Sequence, residues 1–470
     1  MKRLWPPTGV ILALGLGFAH PVAAQEPTFQ PATDAGLRAT YAPVVEKTAP
    51  AVVNIYTERT VTRQMRSVFD DPFFRDFFGG VPGGARTRRE SSLGSGVIVD
   101  QSGIVVTNNH VVENAGAIKV VLADRREYEA EILLTDPQTD LAILSIDAGA
   151  PLPALSFADS DTAAVGDIVL AIGNPFGVGQ TVTSGIVSAL SRTAASVSDY
   201  QFFIQTDAAI NPGNSGGALV DVDGNLLGVN TAIYSRSGGS NGIGFAIPGN
   251  LVRQVVDSAV GGQMTVRRPW LGVEGRSVDS RLAAAVGLDR PIGAILEALY
   301  PGGPADLAGL KEGDVVLAIG GQDVLSAEAL KYRPGTRRDG ERVAVRYLRD
   351  GRERETQVRL ALPPETPARE TTTIGGSSPF TGATVANLSP ALAEEIGFPP
   401  LTEGVVILET VRGSIASRYR LGRGVIILSV NGEPIERVRD LTAVLKTSAP
   451  GYLIQVTNRS GRVSTLRIGR

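Results

Sequence analysis

The stretch INPGNSGGALVDVDGNLLGVNTAI, Ile210–Ile233, joins a glycine-rich turn to two apolar runs of β type. Ser215 lies in the turn with glycines on both sides. Glycine lets a backbone turn tightly, and exposed amides in such a turn can stabilise an oxyanion. Turns of this kind around serine are common, so the motif alone indicates catalysis only weakly. A base and a carboxylate elsewhere in the chain would strengthen it.

The region from Val44 to Val260 consists of short β-type runs separated by Gly, Asn and Asp. This pattern favours antiparallel sandwich or barrel domains over βαβ units. The segment Ile247–Val260 has apolar residues at helical spacing and predicts a helix that closes the region. A chain of 470 residues is long enough for about three domains. The formal net charge of −3 gives no reason to expect a nucleic-acid partner.

Residues 1–24 are typical of a secretory signal peptide. Lys2 and Arg3 precede a short apolar run, and small residues at Val22–Ala24 suit signal peptidase. The alternative is an uncleaved membrane anchor. Cleavage would leave an N-terminal segment, residues 25–43, before the β-rich region.

The sequence contains no cysteine. Disulfides and thiolate zinc sites are therefore excluded, and each domain must be held by its own apolar core. We expect no metal and no cofactor.

A base for Ser215 is easily identified, because the sequence has only two histidines. His20 lies in the predicted signal peptide, which leaves His110, in VVTNNHVVEN. The segment TDPQTDLAIL offers Asp140 as the orienting carboxylate, with Asp136 as a competitor. Asp140 is favoured because it directly precedes an apolar run. The order His, Asp, Ser is that of the chymotrypsin class. The alternatives are a core histidine and two turn residues.

The C-terminal part contains an internal repeat. Pro304–Val324 aligns with Ile415–Ile435 at a constant offset of 111, with matching glycines and apolar residues. Two copies this far apart predict two small tandem domains. We place them at residues 266–362 and 379–470. The Pro/Thr/Gly/Ser-rich residues 363–378 between them predict a flexible linker.

A long phenylalanine-rich loop is predicted over residues 58–92. It carries phenylalanines among charges, glycines and prolines. Exposed apolar clusters usually mark a contact site. The alternative is a disordered insertion.

Three separated motifs closely resemble the HtrA family of serine proteases: LGSGVIVDQSGIVVTNNHVV, TDPQTDLAIL and INPGNSGGALVDVDGNLLGVNTAI. The tandem C-terminal repeat makes the chain similar to the periplasmic Do/DegP/DegQ group of that family. The resemblance implies a mainly β fold. A chymotrypsin-like double β-barrel protease domain, residues 44–260, would be followed by two PDZ domains.

The resemblance also implies the chemistry. His110 would take the proton of Ser215 as its hydroxyl attacks the scissile carbonyl, and Asp140 would orient the imidazole. The backbone amides of Gly213, Asn214 and Ser215 are the expected oxyanion donors.

Substrate preference is partly predictable. Ala209 stands six residues before the nucleophile, where a trypsin-like enzyme has a carboxylate, so cleavage after Lys or Arg is not expected. The family implies cleavage after small aliphatic residues in unfolded proteins. The residues predicted to line an apolar pocket are Ile210, Thr231, Ala232 and Ile233.

The repeats imply capture of peptide C-termini, because a PDZ domain adds an extended peptide as a strand. Pro379–Thr384 is the weaker candidate loop in the second copy, which also has Val425 where the first has Asp314. The carboxylate-binding loop predicted for the first copy consists of Trp270, Leu271, Gly272 and Val273.

The implied partners are unfolded or misfolded proteins and C-terminal peptides, in the periplasm. A homotrimer is expected. Larger assemblies and peripheral membrane association are open alternatives. An ATP-independent chaperone or assembly scaffold with little proteolysis is the competing function.

Overall fold

The computed structural model describes residues 40–61, 88–174, 179–192, 202–211, 213–233, 241–447, 451–459 and 461–469. The predicted signal peptide and the N-terminal segment up to residue 39 lie outside the described residues, as do residues 62–87 of the phenylalanine-rich segment. Residues Ala42–Arg470 belong to one compact unit. Within the described ranges, no helix has both the length and the apolar character needed to cross a bilayer.

Six antiparallel strands close into a first barrel in the order β1-β2-β3-β6-β5-β4. Helix α1, Ala42–Thr48, precedes it, and the short helix α2, Asn109–Val112, follows β3. The strands are β1 (Val52–Val61), β2 (Arg88–Asp100), β3 (Ile104–Asn108), β4 (Ala117–Val121), β5 (Glu127–Asp136) and β6 (Leu141–Ile146).

A second barrel closes in the order β10-β11-β12-β9-β8-β7. The predicted closing helix is present as α3, Gly249–Val260, which packs against strands of both barrels. The strands are β7 (Ile168–Gly173), β8 (Thr181–Arg192), β9 (Phe203–Thr206), β10 (Ala218–Val220), β11 (Leu226–Ile233) and β12 (Gly244–Pro248).

Strand β6 shows why the apolar run after Asp140 is continuous. Its sequence is LAILSI, and all but one of these six residues are buried. One face points into the first barrel, and α3 packs on the strand. A strand covered on both faces has no solvent side, so its sequence does not alternate.

The chain then forms a third sheet in the order β13-β14-β15-β17-β18, with β16 paired to β15. Its helices are α4 (Ser280–Val286), α5 (Pro304–Leu307) and α6 (Ala329–Gly335). Its strands are β13 (Val273–Ser277), β14 (Ala294–Leu299), β15 (Val315–Ile319), β16 (Gln322–Asp323), β17 (Arg342–Arg349) and β18 (Arg352–Arg359).

The fourth sheet repeats this topology and adds one strand. Its order is β19-β20-β21-β22-β24-β25, with β23 paired to β22. Its helices are α7 (Pro390–Glu395), α8 (Ile415–Arg418) and α9 (Val438–Lys446). Its strands are β19 (Thr372–Thr373), β20 (Ala383–Asn387), β21 (Val405–Thr410), β22 (Ile426–Val430), β23 (Glu433–Pro434), β24 (Gly451–Thr457) and β25 (Ser464–Gly469). The predicted mainly β fold, a double barrel followed by two similar domains, is confirmed.

Two segments differ from the predictions. The loop expected over residues 58–92 is shorter than predicted, because β1 and β2 remain paired out to Val61 and Arg88. The linker expected over residues 363–378 is packed rather than flexible. It contributes β19, and Ile374 lies in the apolar core of the fourth sheet. The composition of residues 363–378 did not indicate this strand, because threonine occurs in linkers as well as in strands.

Two buried ion pairs join the barrels to the third sheet. Arg268, just before that sheet, pairs with Asp136 at the end of β5. Arg333 on α6 pairs with Asp161 at 2.7 Å. Each pair has both side chains largely removed from solvent. Loss of one partner would therefore leave an uncompensated buried charge.

Candidate active site

His110 and Asp140 are brought together by the pairing of two strands. Strand β3 pairs with β6, and Asn108 lies opposite Leu141. His110 follows β3 by two residues, and Asp140 directly precedes β6. The residues after one strand and before its antiparallel partner lie side by side, so these two side chains meet at one end of the first barrel.

The Asp140 carboxylate accepts hydrogen bonds from three donor groups. The His110 ring nitrogen Nδ1 lies 2.9 Å from Oδ1 and 2.8 Å from Oδ2. The His110 backbone amide donates to Oδ1 at 3.0 Å, and the Thr231 hydroxyl donates to Oδ2 at 2.7 Å. A carboxylate bound to Nδ1–H fixes the tautomer that leaves Nε2 as an acceptor.

The backbone of Asp140 is itself held in an uncommon conformation. Its φ is +59°, in the left-handed region, which aspartate adopts more readily than most residues. The Asp140 carbonyl accepts hydrogen bonds from the Asn108 side chain and the Asn109 amide, both at 3.0 Å. These contacts offset the strain and fix the direction of the carboxylate.

Asp136, the competing carboxylate, is engaged elsewhere. It pairs with Arg268 and also accepts a hydrogen bond from the Thr139 hydroxyl at 2.5 Å. Asp140 is therefore the aspartate beside His110, as its position before the apolar run predicted.

The Ser215 hydroxyl is connected to the His110–Asp140 pair through one intervening residue, Thr231. It donates to the backbone carbonyl of Thr231 at 3.2 Å, while the Thr231 hydroxyl bonds to Asp140. Among the described residues, no hydrogen bond joins Ser215 to His110. Thr231 thus links the serine to the aspartate through its two oxygens, and the serine hydroxyl points to a carbonyl.

The turn that carries Ser215 is held from the first barrel. Ser95 on β2 donates its amide to the Ser215 carbonyl at 2.9 Å and its hydroxyl to the Gly213 carbonyl at 2.6 Å. The same hydroxyl accepts the Asn174 amide at 2.8 Å. Gly213 has a φ of +96°, a conformation that favours glycine. The backbone of the turn is therefore oriented by contacts between the barrels.

The structure differs from the prediction for Asn214, whose amide was expected to be an oxyanion donor. Its amide donates to the Asn211 carbonyl at 3.0 Å, inside the turn, and its side chain is buried against Gly173. This amide is therefore occupied, unlike an oxyanion donor. Of the three expected donors, Gly213 and Ser215 remain as candidates. Pro212 lies outside the described residues.

The predicted pocket residues fall into two groups. Ile210 is buried in the apolar core of the second barrel, next to Gly244, where an added Cβ would approach its Cδ1 to 2.7 Å. Ala232 and Ile233 lie on β11, paired with β12. Thr231, predicted as a pocket residue, bonds instead to Asp140 and Ser215.

The predicted loop of the first repeat leads into an edge strand. Val273 begins β13, which among the described residues pairs with a strand, β14, on one side only. The carbonyls of Leu271 and Gly272 accept amides from the chain that follows β14, and Gly272 has a φ of +74°. The Trp270 ring is buried and lies 5.5 Å from that of Tyr300. The loop is thus pinned by its carbonyls.

Sequence reasoning missed Ser95 and assigned Thr231 a different role, in the substrate pocket. Ser95 and the hydroxyl role of Thr231 have no local motif, because both act across a boundary between strands distant in sequence. The hydroxyl types alone were the available signal, and serines and threonines are too common to single out.

Comparisons with known proteins identify the domains and the family. The family profile described as trypsin-like peptidase domain matches residues 94–229, and a PDZ domain profile matches residues 295–332. The chain is 42% identical over 422 residues to a probable periplasmic serine endoprotease DegP-like of Marinomonas sp. (strain MWYL1), covering 87% of this chain and 88% of that protein. It is 39% identical over 466 residues to the periplasmic serine endoprotease DegP of Escherichia coli (strain K12), covering 94% of each.

Solved structures give the same answer. The HtrA-type protease AlgW with tripeptide is 44% identical, covers 69% of this chain and 98% of its own, and has a TM-score of 0.51. The same protease with decapeptide is 46% identical, covers 69% and 99%, and has a TM-score of 0.50. The fold and these matches define a trypsin-like serine endopeptidase with a PDZ domain. The chain belongs to the DegP-like serine endoproteases of the HtrA family. The protease interpretation is therefore favoured over the chaperone or scaffold alternative.

Proposed function

We propose that Ser215 is the nucleophile, His110 the general base and Asp140 the group that orients the base. The single observation that carries this is the Asp140 carboxylate, within 2.9 Å of His110 Nδ1 and bonded to Thr231. With Nδ1–H donated to Asp140, Nε2 can accept the serine proton. Rotation of the Ser215 side chain between staggered positions would move its hydroxyl from Thr231 to the imidazole.

The reaction would proceed through an acyl-enzyme. The Ser215 oxygen attacks the scissile carbonyl while His110 takes the proton and then returns it to the leaving amine; water then clears the acyl group by the reverse proton route. The amides of Gly213 and Ser215 are the proposed oxyanion donors.

Casein hydrolysis and labelling by a fluorophosphonate test the assignment. Ser215→Ala should lower turnover by roughly a millionfold and abolish labelling. Asp140→Asn should cost about ten-thousandfold, because the wrong imidazole tautomer is held. Ser102→Ala, at an exposed serine, is the matched control and should retain wild-type activity. Hydrolysis unchanged by Ser215→Ala would contradict the proposal.

Thr231 would act as a positioning residue through its hydroxyl. Thr231→Val should lower kcat by about tenfold with little change in KM, since one charge-assisted hydrogen bond to Asp140 is lost. Thr231→Ser keeps the hydroxyl and should recover most of the rate.

The proposed substrates are unfolded or misfolded proteins, cut after small aliphatic residues. The absence of a carboxylate at Ala209 and the buried Ile210 support an apolar preference. Peptide libraries read by mass spectrometry should show cleavage after Val or Ala rather than Lys or Arg. Dominant cleavage after basic residues would refute this preference.

Peptide capture is proposed at the edge of β13. The open strand, preceded by the loop Trp270–Val273, suits addition of an extended chain with its C-terminus at that loop. The domain limits given above, export by a cleaved signal peptide, periplasmic residence and a homotrimer complete the proposal. Size measurement with and without unfolded casein tests the assembly, and N-terminal sequencing of secreted protein tests cleavage after Ala24.

A further inference from the structure

The outer edge of β20 in the fourth sheet is covered by the chain itself. Strand β19 pairs antiparallel with β20, with Thr372 opposite Val385 and Thr373 opposite Thr384. In the third sheet the equivalent strand, β13, has its outer edge free of strand pairing within the described part of the chain. The extra strand β19 therefore occupies, on β20, the position that an added peptide would take on β13.

Ile374 continues this pairing up to the loop before β20. Its amide donates to the Ala383 carbonyl at 2.8 Å, and its carbonyl accepts the Gly382 amide at 2.8 Å. Its side chain is only 6% exposed and belongs to the same apolar cluster as Phe380 and Leu441. A side chain in the apolar pocket and an oxygen on a loop amide are what the last residue of a captured peptide would present.

The loops of the two sheets correspond residue by residue. Tyr300 donates its amide to Gly272 in the third sheet, as Val411 does to Gly382 in the fourth, both at 2.8 Å. The Gly382 amide is bonded to Ile374, whereas the structure of residues 241–447 records no acceptor for the Gly272 amide. One loop is therefore open and the other is occupied.

We propose that Thr372–Ile374 is a built-in ligand of the groove in the second PDZ-type sheet. External chains ending in an aliphatic residue bind there only after this segment leaves. The inference rests on the proposed capture of peptide C-termini. It adds that the groove of the third sheet is open to an external peptide, whereas that of the fourth sheet is occupied.

The covalent tether explains why the segment occupies the groove. Only residues 375–381 separate Ile374 from the loop amide that it contacts. A ligand on so short a connection acts at an effective concentration on the order of millimolar. The tether is also fixed at its turn, since the Thr381 hydroxyl donates to the Gly376 carbonyl at 3.0 Å.

An external peptide should nevertheless be able to displace Ile374 from the loop amide. Ile374 offers a neutral carbonyl, while a true C-terminus offers a charged carboxylate with two oxygens. Hydrogen bonds to ionised acceptors are roughly twice as strong as neutral ones. An aliphatic C-terminus at sufficient concentration should therefore replace the internal segment.

A cysteine scan tests occupancy without emptying the groove, because the chain has no cysteine of its own. In full-length protein carrying Ser215→Ala, Ile374→Cys should react with maleimide at least about tenfold more slowly than Thr373→Cys, whose side chain is exposed. Adding excess decapeptide with a free C-terminal valine should accelerate only the Ile374→Cys variant. The same peptide with an amidated C-terminus is the control and should leave the rate unchanged.

Peptide stoichiometry gives an independent test. At peptide concentrations too low to accelerate labelling of Ile374→Cys, fluorescence anisotropy with the valine-ending decapeptide should give one peptide per wild-type chain and two per Ile374→Asp chain. Thr373→Asp adds the same charge at the exposed neighbour and should keep one. Hydrogen exchange should show the Gly382 amide protected in wild type, which holds even if Ile374→Asp disturbs the sheet.

The outcomes separate the inference from the function beneath it. Equal labelling of the two cysteine variants, or an unprotected Gly382 amide, overturns the built-in ligand. No peptide bound to wild type would overturn the proposed capture at β13 instead.

Discussion

The third and fourth sheets share one backbone plan yet differ in two regions. Gly313 donates its amide to Leu296 in the third sheet, as Gly424 does to Ile407 in the fourth. The same bonds recur around each sheet, so apolar spacing and turn glycines set the topology. Which surface is open is decided by a few other residues: the edge of β20 is covered while that of β13 is free. A second region, around Asp314 in the third sheet and Val425 in the fourth, also differs.

In the third sheet an ion pair fills this second region. Asp314 is almost fully buried and receives both Nε and a terminal nitrogen of Arg349 at 2.6 Å. The hydrogen bonds to Asp314 raise the pKa of Arg349. The Lys311 amide and the Gly309 carbonyl complete the network.

In the fourth sheet Val425 and Asn458 take the places of Asp314 and Arg349, as the strand pairs Ile426–Thr457 and Val315–Leu348 show. A cavity of about 420 Å³ lies beside Asn458. It is lined by Ile396, Phe398, Ile407, Leu408, Arg423, Gly424, Asn458 and Arg459. Asn458 lines this cavity, whereas Val425 packs against the apolar core that contains Ile374.

The largest effect should come from breaking the ion pair. Arg349→Ala leaves Asp314 buried without a partner and should destabilise the third sheet by about 3 kcal/mol. Urea unfolding followed by Trp270 fluorescence reports on this sheet, since the only other tryptophan, Trp5, lies in the predicted signal peptide. Asn458→Ala, followed by hydrogen exchange in the fourth sheet, is the matched change and should cost under about 0.5 kcal/mol. Equal costs would erase the distinction between the two sheets at these positions.

The loop glycines should respond unequally. Gly382 has a φ of +87°, and an added Cβ would lie 2.4 Å from Ser414. At Gly272, with φ +74°, the nearest atom is Pro304 Cδ at 3.3 Å. Alanine in the left-handed region costs about 1 kcal/mol, and the overlap should bring Gly382→Ala to about 2 kcal/mol or more. Hydrogen exchange read separately in each sheet measures both.

A transplant of the ion pair would sharpen the comparison. Val425→Asp alone buries a charge and should destabilise the fourth sheet, whereas Val425→Asp with Asn458→Arg should recover about 1 kcal/mol or more. A double-mutant cycle in urea measures the coupling. Coupling near zero would mean that the two backbones do not hold these positions at matching distances.

The smallest expected effect concerns a contact that the third sheet lacks. The Gln138 side chain, between β5 and β6, donates to the backbone carbonyl of Glu394 on α7. The corresponding residue of the third sheet is Ala284, which is exposed. The fourth sheet is therefore joined to the turn that leads to Asp140.

The stability of the fold around Glu394 should depend on pH. Burial raises the pKa of Glu394 against the opposing effect of Lys331, Arg268 and Arg267, with Asp136 adding to the rise. The folded state therefore favours protonated Glu394. Its stabilisation is complete below the ordinary glutamate pKa, about 4.3, and is lost as pH rises through the raised pKa.

Glu394→Gln should remove that dependence. Wild type and variant should unfold at similar urea concentrations at acidic pH, and wild type should become relatively less stable as pH rises. Glu395→Gln, at an exposed neighbour, is the control. A constant difference between wild type and Glu394→Gln across pH would contradict the assignment.

Much of this architecture is predictable from sequence because it depends on local patterns. Turn glycines, β-type runs and the repeat predict the strands and the two similar sheets. The position of Asp140 before a continuous apolar run favours it over Asp136, and the structure brings Asp140 to His110.

The remainder depends on contacts that no local pattern encodes. Ser95 and Thr231 act across strand boundaries, and Arg268 meets Asp136 only because the chain returns to the first barrel. Residues 372–374 read as linker by composition, but their β-branched side chains suit an edge strand. Asn214 was expected to offer its amide, yet the turn uses that amide itself.

The division of the proposed catalytic groups between the barrels has a practical consequence. Imidazole and carboxylate come from one barrel; the hydroxyl comes from the other and is braced by Ser95 of the first. A chain cut in the connection between β6 and β7 would yield two inert fragments. Hydrolysis would return only on their reassembly, so proteolysis of a fluorogenic peptide could serve as a complementation reporter for any two proteins fused to the halves.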